Sequence, residues 1–144
     1  MIILDTNVIS EIMRGSIDPK VSAWLRAQPL STLATTAINL AELRYGLARL
    51  AFGRRRRDLE SRLSAFAARA FANRVFDFDA AASDAYGDLM VARERIGRRL
   101  EAFDGLIAAI AKSRALPIVT RNTADFENCG VRVISPWTDP PVPV

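Results

Sequence analysis

The chain begins MIILDTNVISE, residues 1–11, and this stretch decides how the rest is read. Ile2, Ile3 and Leu4 form a short unbroken apolar run, the pattern of a strand buried on both faces. The run ends on a carboxylate, Asp5, followed by Thr6 and Asn7 and then by apolar residues again. Two readings of Asp5 stay open on this stretch alone. Asp, Thr and Asn are good helix starters, because a side-chain oxygen accepts a hydrogen bond from a free backbone N–H. Alternatively, Asp5 is a metal ligand or an acid–base group at the carboxyl end of a strand.

Outward from this stretch, strands and helices alternate. A strand at about 1–5 is followed by helices near 8–14 and 18–27, the second opened by Asp18-Pro19 with proline in the tolerated first turn. A short strand at 32–35 leads to a long helix at 37–51. Gly53 and the arginine run 54–57 open a second long helix that ends near 72. A strand at 75–78 precedes a helix capped by Asp79 and broken by Gly97. The next helix covers 102–115. After Leu116-Pro117 come a strand at 118–120, a helical turn at 123–128, and a last strand at 131–134. The tail from about 135, SPWTDPPVPV, is expected to wrap the surface. No repeat or flexible linker divides residues 1–144, so one domain is expected. The alternation predicts an α/β fold with a mostly parallel central sheet. In open sheets of this kind, sites form outside the carboxyl ends of the strands. Asp5 and the stretch Thr120-Arg121-Asn122 both fall at such ends.

Composition narrows the chemistry. Of the 20 Lys and Arg residues only Lys20 and Lys112 are lysine, and the net charge is +4. Arginine holds phosphate through a planar fork of donors, so the bias favours a nucleic-acid partner; a GC-rich genome accounts for it equally well. Histidine is absent, which excludes Ser-His-Asp and Cys-His catalysis and imidazole-based zinc sites. Cys129 is the only cysteine, so there is no intrachain disulfide, in keeping with a reducing cytoplasm. No basic region precedes the N-terminal apolar run, so a signal peptide is not expected. No apolar stretch reaches the roughly 20 residues that span a bilayer.

Two further acids fall at inward-facing positions. In AINLAELRYGLARL, Glu42 shares a helix face with Ile38, Ala41 and Tyr45. An unpaired carboxylate there needs a cation or a hydrogen-bond partner, and a salt bridge to an arginine is the plainer alternative. In FDGLIAAIA, Asp104 shares a face with Ile107, Ala108 and Ala111, and also lies in the first turn, where the helix dipole favours a negative charge. Three carboxylates brought together repel one another unless a divalent cation lies between them, and hard oxygen ligands suit Mg²⁺ or Mn²⁺. Asp84 and Asp88 read as a solvated face, and Glu94 to Arg98 has the spacing of an i,i+4 pair if the helix continues that far.

Taken together, LDTNVIS, NLAELRYGL, FDGLIAAIA, VTRNTADFE and VISPW resemble the PIN-domain ribonucleases, in particular the VapC/FitB-type toxins of bacterial type II toxin–antitoxin pairs. The resemblance covers nearly the whole chain. It implies a three-layer α/β/α sandwich whose acidic pocket holds Mg²⁺ or Mn²⁺ and hydrolyses RNA. It assigns Asp5, Glu42 and Asp104 as the central acids, with Asp5 and Asp104 as direct ligands and Glu42 as a ligand or a general base. Thr6, Asn7 and Thr120 are supporting polar residues. The fourth ligand position falls to Asn122 or Asp125. It also implies a homodimer, neutralised by a cognate antitoxin that alone contacts DNA. The apolar residues Leu40, Leu43, Leu47 and Leu50, with Leu59, Leu63, Phe66 and Ala70, are expected to exceed what one domain buries, although packing of the two helices on each other would use about half of them. An inactive nucleic-acid-binding module is the alternative, resting on Asn122 alone. A haloacid-dehalogenase-type phosphatase would want Asp where Asn7 stands, a receiver would want a lysine after a late strand, and no P-loop motif exists.

Overall fold

A computed structural model describes all 144 residues. The N-terminal apolar run becomes β1 (Ile2–Leu4), the central strand of a five-stranded sheet. The elements then follow as α1 (Thr6–Met13), α2 (Pro19–Arg26), a single 3₁₀ turn, β2 (Leu33–Thr36), α3 (Ala37–Ala48), α4 (Arg54–Phe71), β3 (Val75–Phe76), α5 (Ala80–Arg95), α6 (Ala102–Ser113), β4 (Ile118–Val119), α7 (Thr123–Phe126) and β5 (Val133–Ile134). The strand order is β3-β2-β1-β4-β5 and every pairing is parallel. Ile3 lies opposite Ala34 of β2 and Ile118 of β4, which places β1 between them.

The side-chain alternation of a strand explains the layers. Ile2 and Leu4 point to one face, where they meet Val8, Ile9, Trp24, Leu43, Leu63 and Phe71. Ile3 points to the other, against Leu89, Ile107, Ile110, Phe126 and Cys129. With helices α1–α4 on one side and α5–α7 on the other, the architecture is the expected α/β/α sandwich. The chain leaves β1 toward β2 and β3, then crosses back to β4 on the other side of β1. This reversal opens a crevice at the carboxyl ends of β1 and β4.

Three local expectations are corrected. Ala41 and Tyr45 are exposed, so Glu42 lies at the edge of the buried face of α3 rather than within an apolar stripe; that face carries Asn39, Leu40 and Leu43. The apolar residues of α3 and α4 largely pack on each other and on the sheet: Leu40, Leu43, Leu63 and Ala70 are in the core, with Leu47 and Phe66 against it. The Glu94–Arg98 pair does not form. Helix α5 stops at Arg95, Gly97 turns the chain at a positive φ of 70°, and Arg98 instead reaches Glu127 at 3.0 Å.

The tail wraps the surface as expected. Ser135 and Pro136 are buried, Trp137 packs against the core, and the buried Gln28 amide donates to Val142 O (2.8 Å) and accepts from Val144 N (3.0 Å). No helix is long and apolar enough to cross a membrane.

Candidate functional site

Asp5 follows β1 directly, and it both starts a helix and lines the crevice. It is the N-cap of α1, its Oδ1 accepting from Thr6 N at 2.8 Å. It also faces the crevice, where its carboxylate is held by a ring of donors. Oδ1 takes a second bond from Asn39 Nδ2 at 3.0 Å. Oδ2 accepts from Asn7 Nδ2 at 2.8 Å and from Thr120 Oγ1 at 2.7 Å. Thr120 follows β4, so β1 and β4, paired in the sheet, also meet at their carboxyl ends through this contact. Burial raises the Asp5 pKa above the ordinary carboxylate value; the hydrogen bonds from Thr120, Thr6, Asn39 and Asn7 pull the other way.

Glu42 comes from the second turn of α3 and half-emerges beside Asp5. Its Oε2 accepts from Thr6 Oγ1 at 2.5 Å, and no protein donor reaches Oε1. Its pKa is raised, first by burial and then by the nearby Asp5 charge, against the pull of the Thr6 bond. Asp104, in the first turn of α6, has no protein hydrogen-bond donor at all. Burial and the charges of Asp125, Asp5, Glu42 and Glu101 push its pKa up to about 6.

These three acids line one cavity of about 340 Å³ with Thr6, Asn7, Ser10, Glu11, Arg14, Arg121 and Asn122, and no hydrophobic residue takes part. None of the three forms a salt bridge. Arg14 pairs with Glu11 at 3.1 Å, and Arg121 stacks over Trp137. The salt-bridge alternative for Glu42 therefore does not hold. Asn122 lines the cavity as the residue before α7, while Asp125 stands back from it and acts on Asp104 through its charge.

The donor set suits a hard divalent cation. Three mutually repelling carboxylates share an all-polar cavity in which neither Arg14 nor Arg121 pairs with any of them, and Glu42 Oε1 and both Asp104 oxygens carry no protein hydrogen bond. No three acids are drawn tightly enough to cage an ion unaided. A divalent ion there would be held by one or two carboxylates directly and would keep bound waters.

The sequence analysis missed Asn39, Ser10 and Arg14. Asn39 is fully buried and bonds both Asp5 and Thr6. Its signal was an amide three residues after Thr36, the spacing of a capping box, which α3 indeed has. The apolar neighbours Leu40 and Leu43 disguised it as part of the core face. Beyond Arg14 the cavity opens into a larger groove of about 1030 Å³ that carries Arg54, Arg55 and Arg62.

Comparison with known proteins places this geometry. The PIN domain family model matches residues 2–130. The chain is 44% identical over 137 residues to VapC ribonuclease Y4jK of Sinorhizobium fredii, covering 95% of this chain and 98% of that one. It is 39% identical over 139 residues to Toxin FitB of Neisseria gonorrhoeae, covering 96% and 100%. The solved structure of FitAcB from Neisseria gonorrhoeae superposes with a TM-score of 0.90 at 38% identity, covering 96% of this chain and 100% of that one. FitAB bound to an IR36 DNA fragment gives the same TM-score at 36% identity, covering 96% and 97%. With the match running from the strand that delivers Asp5 to the turn beyond α7, the chain belongs to the PIN-domain family.

Proposed function

We propose that the chain is a divalent-metal-dependent endoribonuclease, the toxin of a toxin–antitoxin pair, acting in the cytoplasm with Mg²⁺ or Mn²⁺. The observation that carries this reading is the meeting of Asp5, Glu42 and Asp104, from the end of β1, α3 and α6, on one all-polar cavity where none of the three forms a salt bridge. The ribonuclease and toxin names of near full-length relatives support it.

In this reading Asp5 and Asp104 hold the ion directly, and Glu42 either ligates it or orients the attacking water through Oε1. Asn122 or Asp125 completes the site. Thr6, Asn7 and Thr120 fix the carboxylates of Asp5 and Glu42. When bound, the ion polarises the scissile phosphate and lowers the pKa of an attacking water. Asp104, protonated below about pH 6, would have to lose its proton to hold the ion, so metal binding would strengthen as pH rises. Arg14 and Arg121 on the cavity, and Arg54, Arg55 and Arg62 on the adjoining groove, hold flanking phosphates; such contacts give affinity rather than sequence choice.

Neutralisation follows from the same charge pattern. A basic side chain from a cognate antitoxin, placed in the cavity, offsets the carboxylates as the ion does and excludes both metal and RNA. Contact with DNA belongs to the antitoxin, in keeping with the FitAB structure on a DNA fragment. A homodimer belongs to the same proposal, on the resemblance to the FitB-type toxins.

The deciding experiment is cleavage of bulk tRNA and mRNA by the purified chain, with Mg²⁺ or Mn²⁺ and with a chelator. Cleavage that needs the metal and disappears in Asp5→Asn supports the reading. Absence of cleavage with intact RNA binding would favour the inactive binding module, for which Asn122 in the fourth position is the argument.

A further inference from the structure

Asn39 has no exposed surface and does not line the cavity, yet it joins two of the acids. We infer that Asn39 is a positioning residue of the acid cluster: its carboxamide directs the Thr6 hydroxyl proton onto Glu42 while bracing Asp5. The inference rests on the reading of the cluster as the metal-dependent nuclease centre and adds a residue to it.

The argument is one of hydrogen-bond direction. Asn39 Oδ1 faces the Thr36 backbone N–H at 3.3 Å, a group that can only donate, and also accepts from Thr36 Oγ1 at 2.6 Å. The amide orientation is thereby fixed, with Nδ2 on the far side. There it donates to Asp5 Oδ1 at 3.0 Å and to Thr6 Oγ1 at 3.1 Å. A hydroxyl has one proton. Since Thr6 Oγ1 accepts from Asn39, its own proton goes to Glu42 Oε2, 2.5 Å away. The relay runs amide to hydroxyl to carboxylate and cannot reverse while Thr36 holds the amide.

The same device occurs once more in the site. Asn7 Oδ1 accepts from Arg121 N at 3.0 Å, so its Nδ2 donates to Asp5 Oδ2 and to Thr120 Oγ1. Thr120 Oγ1 also accepts from Asn122 N, which leaves its proton for Asp5 Oδ2. That second relay braces a single acid. The Asn39 relay links Asp5 with Glu42 and pins Oε2, so that Oε1 is the oxygen of Glu42 left for other partners. Without the amide, the Thr6 hydroxyl loses the partner that holds its rotamer, and Glu42 Oε2 loses the fixed donor that places the carboxylate. Groups that orient ligands in this way typically matter about 10–100-fold in metal affinity or activity.

The test measures Mn²⁺ binding to the full chain by calorimetry. Asn39→Ala and Thr6→Val should each weaken Mn²⁺ binding about tenfold or more. Because they break one relay, the double variant should bind only slightly worse than the weaker single variant. Losses that multiply in the double variant, or wild-type affinity in a folded Asn39→Ala protein, would overturn the inference. If Asn39→Ala does not fold, Asn39→Leu carries the test, since it keeps the side-chain volume without adding a charge while the donor is gone. That variant should lower kcat on bulk tRNA by about tenfold with KM unchanged, because Asn39 touches no substrate surface. An undiminished kcat, or a change confined to KM, contradicts the inference. Wild-type Mn²⁺ affinity in Asp5→Asn would instead remove the metal-site reading on which it stands.

Discussion

Asp5 and Asp104 are two carboxylates on one cavity, and the protein treats them in opposite ways. Asp5 is almost wholly buried and accepts hydrogen bonds from Thr6 N, Asn39, Asn7 and Thr120. Asp104 is half-buried, accepts none, and is repelled by four other acids. Burial raises the pKa of both, but only at Asp5 does the protein supply donors to offset it. The difference teaches that the fold fixes one acid with its own donors and leaves the other without a protein partner. Donors around Asp5 come from α1, α3 and β4, so its position is fixed once the sheet and the flanking helices assemble. Asp104 has only the N-terminus of α6, and a helix dipole contributes about 0.3–1 kcal/mol. Its raised pKa shows that repulsion and burial win.

The largest effect should come from removing either charge. Asp5→Asn and Asp104→Asn should each reduce RNA cleavage at least about a hundredfold, measured as initial rates under saturating Mg²⁺. If Asp104→Asn cleaves like the wild type, the contrast has no bearing on catalysis.

The pH dependence sharpens the contrast. Asp104 has a folded pKa of about 6, above its ordinary value of 3.8. Between these values the folded state binds more protons than the unfolded state, so stability falls as pH rises. The Asp104 contribution is fully present below about pH 4 and lost through about pH 6. In a chelator, the wild type should therefore lose melting temperature over this range more steeply than Asp104→Asn. Parallel curves for the two proteins would assign the titration to other groups.

A smaller effect concerns the fourth position. Asp125 is the foremost charge acting on Asp104, whereas Asn122 lines the cavity without a charge. Asp125→Ala should impair cleavage more than Asn122→Ala if Asp125 supplies the acidic role. Cleavage by Asp125→Ala at the wild-type rate would remove Asp125 from the site.

Much of this was readable in the sequence, for identifiable reasons. The run Ile2–Leu4 fits a strand covered on both faces, and the alternation of strands and helices after it puts Asp5 at a carboxyl end. Glu42 and Asp104 declared themselves by helical spacing against apolar neighbours, although the face assigned to Glu42 was wrong. Periodicity places Ala41 and Tyr45 beside Glu42 but cannot say where the rim of a layer falls, and here it falls between Glu42 and Leu43. Asn39 was illegible for a related reason. An amide among leucines signals a buried partner without naming it, and its partners lie 33 and 34 residues away at Thr6 and Asp5. The basic groove beyond Arg14 was equally hidden, since it joins α1 to α4 across the fold.

The central claim is that protein donors fix Asp5 in place, whereas Asp104 carries a repelled charge that, in the proposed reading, only a bound cation would offset. Melting temperatures of the wild type, Asp5→Asn and Asp104→Asn, measured near neutral pH first with a chelator and then with Mn²⁺, test it most directly. With chelator, Asp5→Asn should melt below the wild type, because the new amide meets donors it cannot accept from, at about 1–3 kcal/mol. Asp104→Asn should melt above the wild type, because a repelled charge is gone. With Mn²⁺ the wild type should rise above Asp104→Asn, since a ligand that binds only the folded state stabilises it. An unchanged order of wild type and Asp104→Asn in the two conditions would contradict the account.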